Sequence, residues 1–413
     1  MRDSSSQRLP SGWPDTDGLT SEQTCRASRT SVMIRRIIRR TLIGLALILT
    51  LLVVVTAATP QGRTAVRVLL FLPQVLPDFP IKPQVWFSRD PTRQEVTYPL
   101  ASGRGVADLY VPARGNDHSA VLLFLGVNPA GRDDERVVGL AEGFARAGVV
   151  VMIPWSDTMT QKRIAVEEID NLVMGFQYLR GLDMVDPDRV GMGGFCVGAS
   201  LATVAAQDPR IRGDVEFINF FGGYFDALDL VKSVVTRSRF YGNEVEPWNP
   251  DKLSVEVVTS HLIEGIGDLD ERALLTQVFV QGTVGPNIDP EKLSPEAQAV
   301  YTLLNSPAFE EVDGLLARLP AEIRDSLALI SPSSRIYELQ ARVLIMHDRE
   351  DDLVPSEESR RLAEALGPDR ETYYTEFSLF QHLDPTSPVS PPVYARELYK
   401  LFLHMYNVFR ELS

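Results

Sequence analysis

Chemistry in this chain begins with a thiol. Cys196 is one of two cysteines in 413 residues, and it stands in Gly194-Phe195-Cys196-Val197-Gly198. Val190, Gly191 and Met192 have the character of the end of a buried strand, and residues 199–206 that of a helix. A side chain placed between them rides on a sharp turn, which needs glycine on both flanks so that strand and helix can approach closely. Such a turn also directs the Val197 N–H and the helix N-terminus at one point, where a developing oxyanion would be stabilised.

A thiol nucleophile needs a base, and the base needs an orienting carboxylate. Asp351 follows the apolar stretch 341–346, in the loop Asp348-Arg349-Glu350-Asp351-Asp352-Leu353-Val354-Pro355. Its neighbour Asp352 is the competing candidate. His382 lies after a further strand expected over 371–377. The other histidines fit less well. His118 falls in an early polar turn, His261 in a long helical region and His404 in the last helix, while His347 precedes the acid loop and would support it. A second oxyanion donor is expected after the apolar run 120–126. Val127 is the first choice, with Gly126 equally near, and Pro129 has no N–H to give.

These groups need a scaffold that brings strand ends together. Strands are expected at 94–98, 105–111, 120–126, 149–153 and 215–221, and helices at 133–147 and 164–182, the latter two with apolar residues at helical spacing. Continuous apolar strands alternating with helices imply a doubly wound, mostly parallel sheet. Its site belongs at the carboxyl ends of the strands. Between residues 227 and 337 the pattern becomes helical, without a convincing strand series. About 110 residues exceed any loop, so a helical cap insertion is expected. Ser294-Pro295 and Ser306-Pro307 each look like a capping serine before a helix-starting proline. After the acid loop, helices are expected at 356–366 and 392–412.

The turn around Cys196 resembles the G-x-S-x-G elbow of α/β-hydrolases with cysteine for serine, and Cys196, Asp351, His382 follow the order of that fold. Together with the Asp351-x-x-Val354-Pro355 loop, they resemble the dienelactone hydrolase group, whose nucleophile is a cysteine. The likeness covers roughly 94–226 and 338–410. It implies hydrolysis of an ester, thioester or lactone through an acyl-cysteine, with no cofactor. The N-terminal apolar segment and the long insertion depart from the group. A cysteine in this box beneath a cap is also similar to polyhydroxyalkanoate synthases, which transfer acyl groups from coenzyme A thioesters. There a further glycine usually follows the box, where this chain has Ala199. A hydrolase fold serving only as a binding module is the non-enzymatic alternative.

Composition is that of a globular protein, 44% hydrophobic and 23% charged, and the net charge of −14 argues against a nucleic-acid partner. No cysteine–histidine cluster has metal-ligand spacing, and Cys25, in a polar segment, makes a disulfide with Cys196 an unattractive expectation.

Residues 1–32 are polar and are expected to be a disordered cytoplasmic tail. Segment 33–59 holds Arg35, Arg36, Arg39 and Arg40, then an apolar run over 42–58, followed closely by Arg63 and Arg67. The run is just long enough to span a bilayer, and the arginine bias puts the N-terminus in the cytoplasm and the large domain outside. A cleaved signal ending near Val55-Thr56-Ala57, with Met33 as the true start, is the alternative. Segment 60–92 is expected to link this anchor to the hydrolase halves, 93–226 and 338–413. Its portion 65–87 is too broken by proline for a second span, and rests either on the membrane surface or on the catalytic domain.

Overall fold

The computed structural model describes residues 39–56, 58–76, 79–101, 103–282, 288–368, 370–378 and 390–413. The chain divides into two units, residues 1–63 and 64–413. In the first, helix α1 (Arg39–Thr56) has a mean hydropathy of 1.9 and is long and apolar enough to cross a membrane. Its leucine, isoleucine and valine side chains are exposed along its whole length.

The second unit is built on eight strands: β1 (Thr92–Leu100), β2 (Gly103–Val111), β3 (His118–Phe124), β4 (Val150–Pro154), β5 (Val185–Phe195), β6 (Phe217–Phe221), β9 (Arg342–Asp348) and β10 (Tyr373–Phe377). They lie in the order β1-β2-β4-β3-β5-β6-β9-β10. The pairs β1–β2 and β2–β4 are antiparallel and every later pair is parallel. The parallel strands therefore share one carboxyl edge, which carries the ends of β3, β5, β6, β9 and β10. Strand order and register together are those of the α/β-hydrolase fold.

Continuous apolar strands become central because both their faces are covered. All seven residues of β3 are buried. Ala120, Leu122 and Phe124 enter one hydrophobic core and Val121 and Leu123 the other, the two-residue alternation of a strand. The first core holds α6 (Glu168–Arg180) and α7 (Val197–Ala205), the second α4 (Glu135–Arg146) and α15 (Pro391–Glu411). Asp134 caps α4 by accepting from the Arg136 N–H, and the helix turns into β4 at Gly148, whose φ is +93°. A four-residue helix, α5 (Asp157–Thr160), and helix α14 (Ser356–Leu366) complete the hydrolase frame.

Segment 60–92 is more than a linker. It forms α2 (Pro60–Val75) and the short α3 (Gln84–Phe87). From Thr64 on, α2 belongs to the second unit, where Val68, Phe71, Leu72 and Leu76 are buried. The Phe71 ring lies 4.7 Å from that of Phe144 and 5.2 Å from that of Phe409. Pro73 sits inside α2 near its end, so the missing N–H costs only one bond of the final turn. Of the two placements expected for this segment, packing on the α/β unit is seen, through the buried face of α2.

The insertion is mainly helical: α8 (Ala227–Thr236), α9 (Lys252–Glu264), α10 (Leu269–Phe279), α11 (Pro295–Leu304), α12 (Phe309–Leu316) and α13 (Ala321–Leu329). It also contains an antiparallel hairpin, β7 (Ser238–Tyr241) and β8 (Glu244–Pro247), turning at Gly242. These four-residue strands are half-exposed or exposed, so no apolar run announces them. Ser294 caps α11 with Pro295 following, as expected. Ser306 does not cap α12. It takes a left-handed conformation (φ 55°), and the helix starts after Ala308 with no side-chain cap. Leu262, Val300, Leu303 and Leu327 of the insertion belong to the same core as Ala199 and Leu201 of the elbow helix. The insertion is thus packed into the hydrolase unit instead of standing beside it.

Candidate active site

Cys196 stands between β5 and α7 with φ 54° and ψ −135°. L-residues rarely adopt this conformation, and holding one there costs on the order of 1–3 kcal/mol. The surroundings enforce it. The Cys196 N–H donates to the Phe221 carbonyl at 2.9 Å, fixing the turn to β6. The elbow also lies hard against the end of β3. A Cβ on Gly198 would stand 2.2 Å from the Phe124 oxygen, and one on Gly126 (φ +68°) would stand 2.8 Å from both the Gly198 nitrogen and the Phe195 oxygen. Glycine is therefore required at both positions. Cys196 is half-buried and unpaired. Behind it, the Ser200 hydroxyl donates to the Tyr224 carbonyl at 2.7 Å and accepts from the Tyr224 N–H at 2.9 Å, tying α7 to the loop after β6.

Of the two oxyanion candidates, Val197 begins α7 immediately after Cys196. Val127 follows β3 and lines the same cavity as Cys196 and Val197. A polar cluster fixes the loop that carries Val127. The buried Asp108 accepts from Arg132 at 2.6 Å and 3.2 Å, from Arg93 at 2.8 Å and from the Trp155 indole at 2.8 Å. Burial alone would raise the Asp108 pKa, but these donors outweigh it and hold the carboxyl below its ordinary value. No spacing rule links residues 93, 108, 132 and 155, so this support was not legible in the sequence.

Asp351 is buried, whereas Asp352 is exposed. The Asp351 Oδ1 accepts from the backbone N–H groups of Leu353 at 2.7 Å and Val354 at 3.0 Å, and its Oδ2 lies 3.5 Å from His347 Nε2. His347 is buried and occupied. Its Nε2–H donates to the Val354 carbonyl at 2.9 Å and its Nδ1 accepts from the Ser359 hydroxyl at 2.6 Å. His404 is also buried, between Asn219 at 2.9 Å and Thr375 at 3.2 Å, where burial pushes its pKa down to about 3. His261 lies beside Ser326 at 3.4 Å. His118 is not in a polar turn: it opens β3, buried, with Nδ1 3.1 Å from the Gly148 carbonyl. His382 lies outside the described residues, as do Cys25 and the tail 1–32. Among the described residues no cluster of histidine, cysteine or carboxylate side chains is arranged to hold a metal ion.

The insertion reaches the acid loop directly. The Trp248 indole N–H donates to the Asp351 carbonyl at 2.9 Å, the Asp251 N–H to the Asp352 carbonyl at 2.7 Å, and the Ser254 hydroxyl to the Leu353 carbonyl at 2.6 Å. Nothing in the sequence singled out these three residues. A cavity of about 790 Å³ contains Cys196; Val127, Leu253, Val257 and Val354 wall it, and it extends to Phe71 and Leu401 of the second core. Its size suits a small organic ligand.

No protein-family model matches the chain. Over 180 residues, 38% of this chain, it is 26% identical to a protein described as a probable 2-oxo-3-(5-oxofuran-2-ylidene)propanoate lactonase from Bradyrhizobium sp. The chain spans 66% of that relative's length, just under two thirds. Among solved structures it is similar to a Mycobacterium tuberculosis puromycin-hydrolyzing peptidase (15% identity, TM-score 0.47, covering 81% of this chain and 41% of that one). It is also similar to Pyrococcus horikoshii acylaminoacyl peptidase (14% identity, TM-score 0.45, covering 78% and 42%). A third is a hyperthermophilic esterase from the archeon Pyrobaculum calidifontis (11% identity, TM-score 0.44, covering 87% and 94%). These superpositions are too loose to carry the assignment. The α/β-hydrolase fold rests on the strand order, the parallel register and the elbow geometry of the chain itself.

Proposed function

We propose that this chain is a membrane-tethered hydrolase that cleaves an ester, thioester or lactone through an acyl-cysteine, in the manner of the dienelactone hydrolase group. The observation that carries the reading is the backbone of Cys196, held at φ 54° at the head of α7 and open to the cavity. In the first half-reaction His382, oriented by Asp351, takes the Cys196 proton and the sulfur attacks the carbonyl carbon. The N–H groups of Val197 and Val127 receive the oxyanion, a contribution of roughly 3 kcal/mol per donor. The carbon–oxygen bond (carbon–sulfur in a thioester) then breaks, and the leaving group takes the proton from His382. In the second half, His382 removes a proton from water, hydroxide adds to the thioester, and the acid departs as the sulfur is released.

The apolar walls of the cavity favour a neutral, largely apolar substrate. The relative described as a probable lactonase keeps cyclic esters in the set. Helix α1, with the arginines before it, supports an anchor that leaves the N-terminus in the cytoplasm and residues 64–413 outside. Val66, Leu69, Trp86 and Phe87, exposed on α2 and α3, suit a catalytic unit working at a lipid surface.

The test is a panel of p-nitrophenyl esters and lactones with the wild type and Cys196→Ala. The variant should lose at least ~10³-fold in rate, and a rapidly quenched wild-type reaction should carry the acyl mass on Cys196. Equal rates for the two proteins would overturn the reading. A reporter fused after Ser413 tests the topology, and reporter activity in the cytoplasm would reverse it.

A further inference from the structure

We infer that the insertion positions the catalytic acid. Trp248 and Ser254 act on Asp351 through the acid loop, and Ser254 does so from the wall that lines the cavity. This rests on the reading of Asp351 as the orienter of the base.

Consider where the backbone carbonyls of residues 351–354 find their donors. Each of them accepts a hydrogen bond. The Val354 carbonyl takes the His347 Nε2–H at 2.9 Å, a donor from the hydrolase core. The three before it take donors from the insertion: Trp248 Nε1–H at 2.9 Å, the Asp251 N–H at 2.7 Å and the Ser254 hydroxyl at 2.6 Å. From the inner side, the Asp351 carboxylate closes the same turn through the N–H groups of Leu353 and Val354. The carboxylate is thus placed by a loop whose outer hydrogen bonds belong to an element more than ninety residues away in sequence. Trp248 and Ser254 are themselves buried, so the donors are not exchanged for water without cost.

The donors also sit at an informative place. Ser254 is in the first turn of α9, and Leu253, Ser254, Val257 and Val258 of that helix line the cavity beside Cys196. Helix α9 therefore lines the cavity and, through Ser254, touches the acid loop, while Trp248 and Asp251 reach that loop from just before the helix. A substrate that packs against α9 favours the arrangement in which the three donors reach residues 351–353. One that leaves this wall empty gains no such support. Trp248 and Ser254 are positioning residues: neither needs to touch the reacting atoms.

A purely structural role, fastening the insertion to the core, predicts a different outcome. The experiment uses the full chain in lipid nanodiscs, carrying Cys25→Ser so that Cys196 is its one thiol. Trp248→Phe keeps an aromatic ring but removes the indole N–H together with part of the ring, Ser254→Ala removes only the hydroxyl, and Ser254→Thr restores it. With p-nitrophenyl butyrate, kcat should fall at least tenfold in Trp248→Phe and in Ser254→Ala while KM changes less than threefold, and Ser254→Thr should recover most of the loss. Independently of any ester, the rate at which iodoacetamide alkylates Cys196 at pH 6 should drop at least fivefold in Trp248→Phe, because a misplaced Asp351 no longer orients His382 toward the sulfur. Variants that lose thermal stability but keep both kcat and the alkylation rate would show that the donors only fasten the insertion, and the inference would be wrong. If the wild type turns over no ester but the alkylation rate still falls, positioning stands and the hydrolase reading fails. If esters are turned over and neither rate responds, the reverse holds.

Discussion

The elbow and the acid loop hold Cys196 and Asp351 by opposite means. At the elbow the constraint is steric. Cys196 is forced to φ 54° because β3, β5 and α7 approach so closely that Gly126 and Gly198 have no room for a side chain. At the acid loop the constraint is polar. Asp351 is placed by hydrogen bonds to Leu353 and Val354, by His347 behind it, and by donors from the insertion in front. A steric constraint is local in sequence and tolerates no added atom. A polar one is assembled from distant residues and depends on the state of each donor and acceptor.

The sharpest way to break the first half of this comparison is Gly198→Ala. The new methyl would stand 2.2 Å from the Phe124 oxygen and 2.5 Å from the Gly126 nitrogen, both backbone atoms at the centre of the sheet edge. Backbone cannot swing aside as a flexible side chain does, so the expected loss is about 3 kcal/mol or more, at the upper end of overpacking costs. Chemical denaturation of the variant would measure it. A loss below 1 kcal/mol would mean that the elbow relaxes and that sterics do not hold Cys196.

The corresponding break on the polar side is His347→Leu. The substitution keeps the bulk of a fully buried residue and deletes the bonds to Ser359 and Val354. Leaving those partners unsatisfied costs roughly 1–3 kcal/mol, less than the steric insult. The rate should suffer more than the stability, because the loop that carries Asp351 is released on one side. Comparing kcat with the unfolding free energy separates the two.

The same contrast explains what the sequence could disclose. The elbow was legible because a close approach of backbones has a residue-type signature, glycine at fixed offsets from Cys196, and because β3 reads as an unbroken apolar run. Helix α14 was legible over Ser356–Leu366, since its apolar spacing follows a proline at the loop's end. The acid loop was legible as an acidic cluster at a strand end, with Asp351 preferred and Asp352 left as its competitor. What distinguishes Asp351 from Asp352 is burial, and its outer donors come from Trp248, Asp251 and Ser254, about a hundred residues earlier, joined to it by no period or motif. The packing of α2 stayed open for a related reason. An amphipathic segment with prolines fits a lipid surface or a protein core equally well, and only the contact of Phe71 with Phe144 and Phe409 selects the core.

A pH series sharpens the polar half further. Glu376 on β10 accepts from Arg360 at 2.6 Å, from the Tyr374 hydroxyl at 2.5 Å and from Arg349 of the acid loop at 3.2 Å. Burial pushes its carboxyl up, but these donors outweigh it and bring the pKa down to about 2 from the ordinary 4.5. A carboxyl whose folded pKa is depressed adds stability that is fully present above its unfolded value and is lost as pH falls toward the folded one. The window is therefore pH 4.5 to 2. Over it, the wild type should lose stability more steeply than Glu376→Gln, with near-parallel curves above pH 5. Curves parallel throughout would show that Glu376 contributes no such linkage.

The smallest effect is also the most discriminating for the elbow, because its sign is opposite to that of every other change. If backbone strain is stored at Cys196, Cys196→Gly removes the Cβ that makes φ 54°, ψ −135° unfavourable, at the expense of a more flexible unfolded chain. Relief of about 1–3 kcal/mol set against a glycine penalty of roughly 0.5–1 kcal/mol leaves a net gain of about 1 kcal/mol. The half-buried thiol contributes too little packing to cancel it. Cys196→Ala keeps the Cβ and so keeps the strain. It serves as the control, inactive like Cys196→Gly but without the gain. The comparison to make is the midpoint of thermal unfolding, with Cys196→Gly highest and Cys196→Ala close to the wild type. A glycine variant no more stable than the alanine variant would mean that the turn is relaxed as it stands, and that the fold does not spend stability to present this thiol.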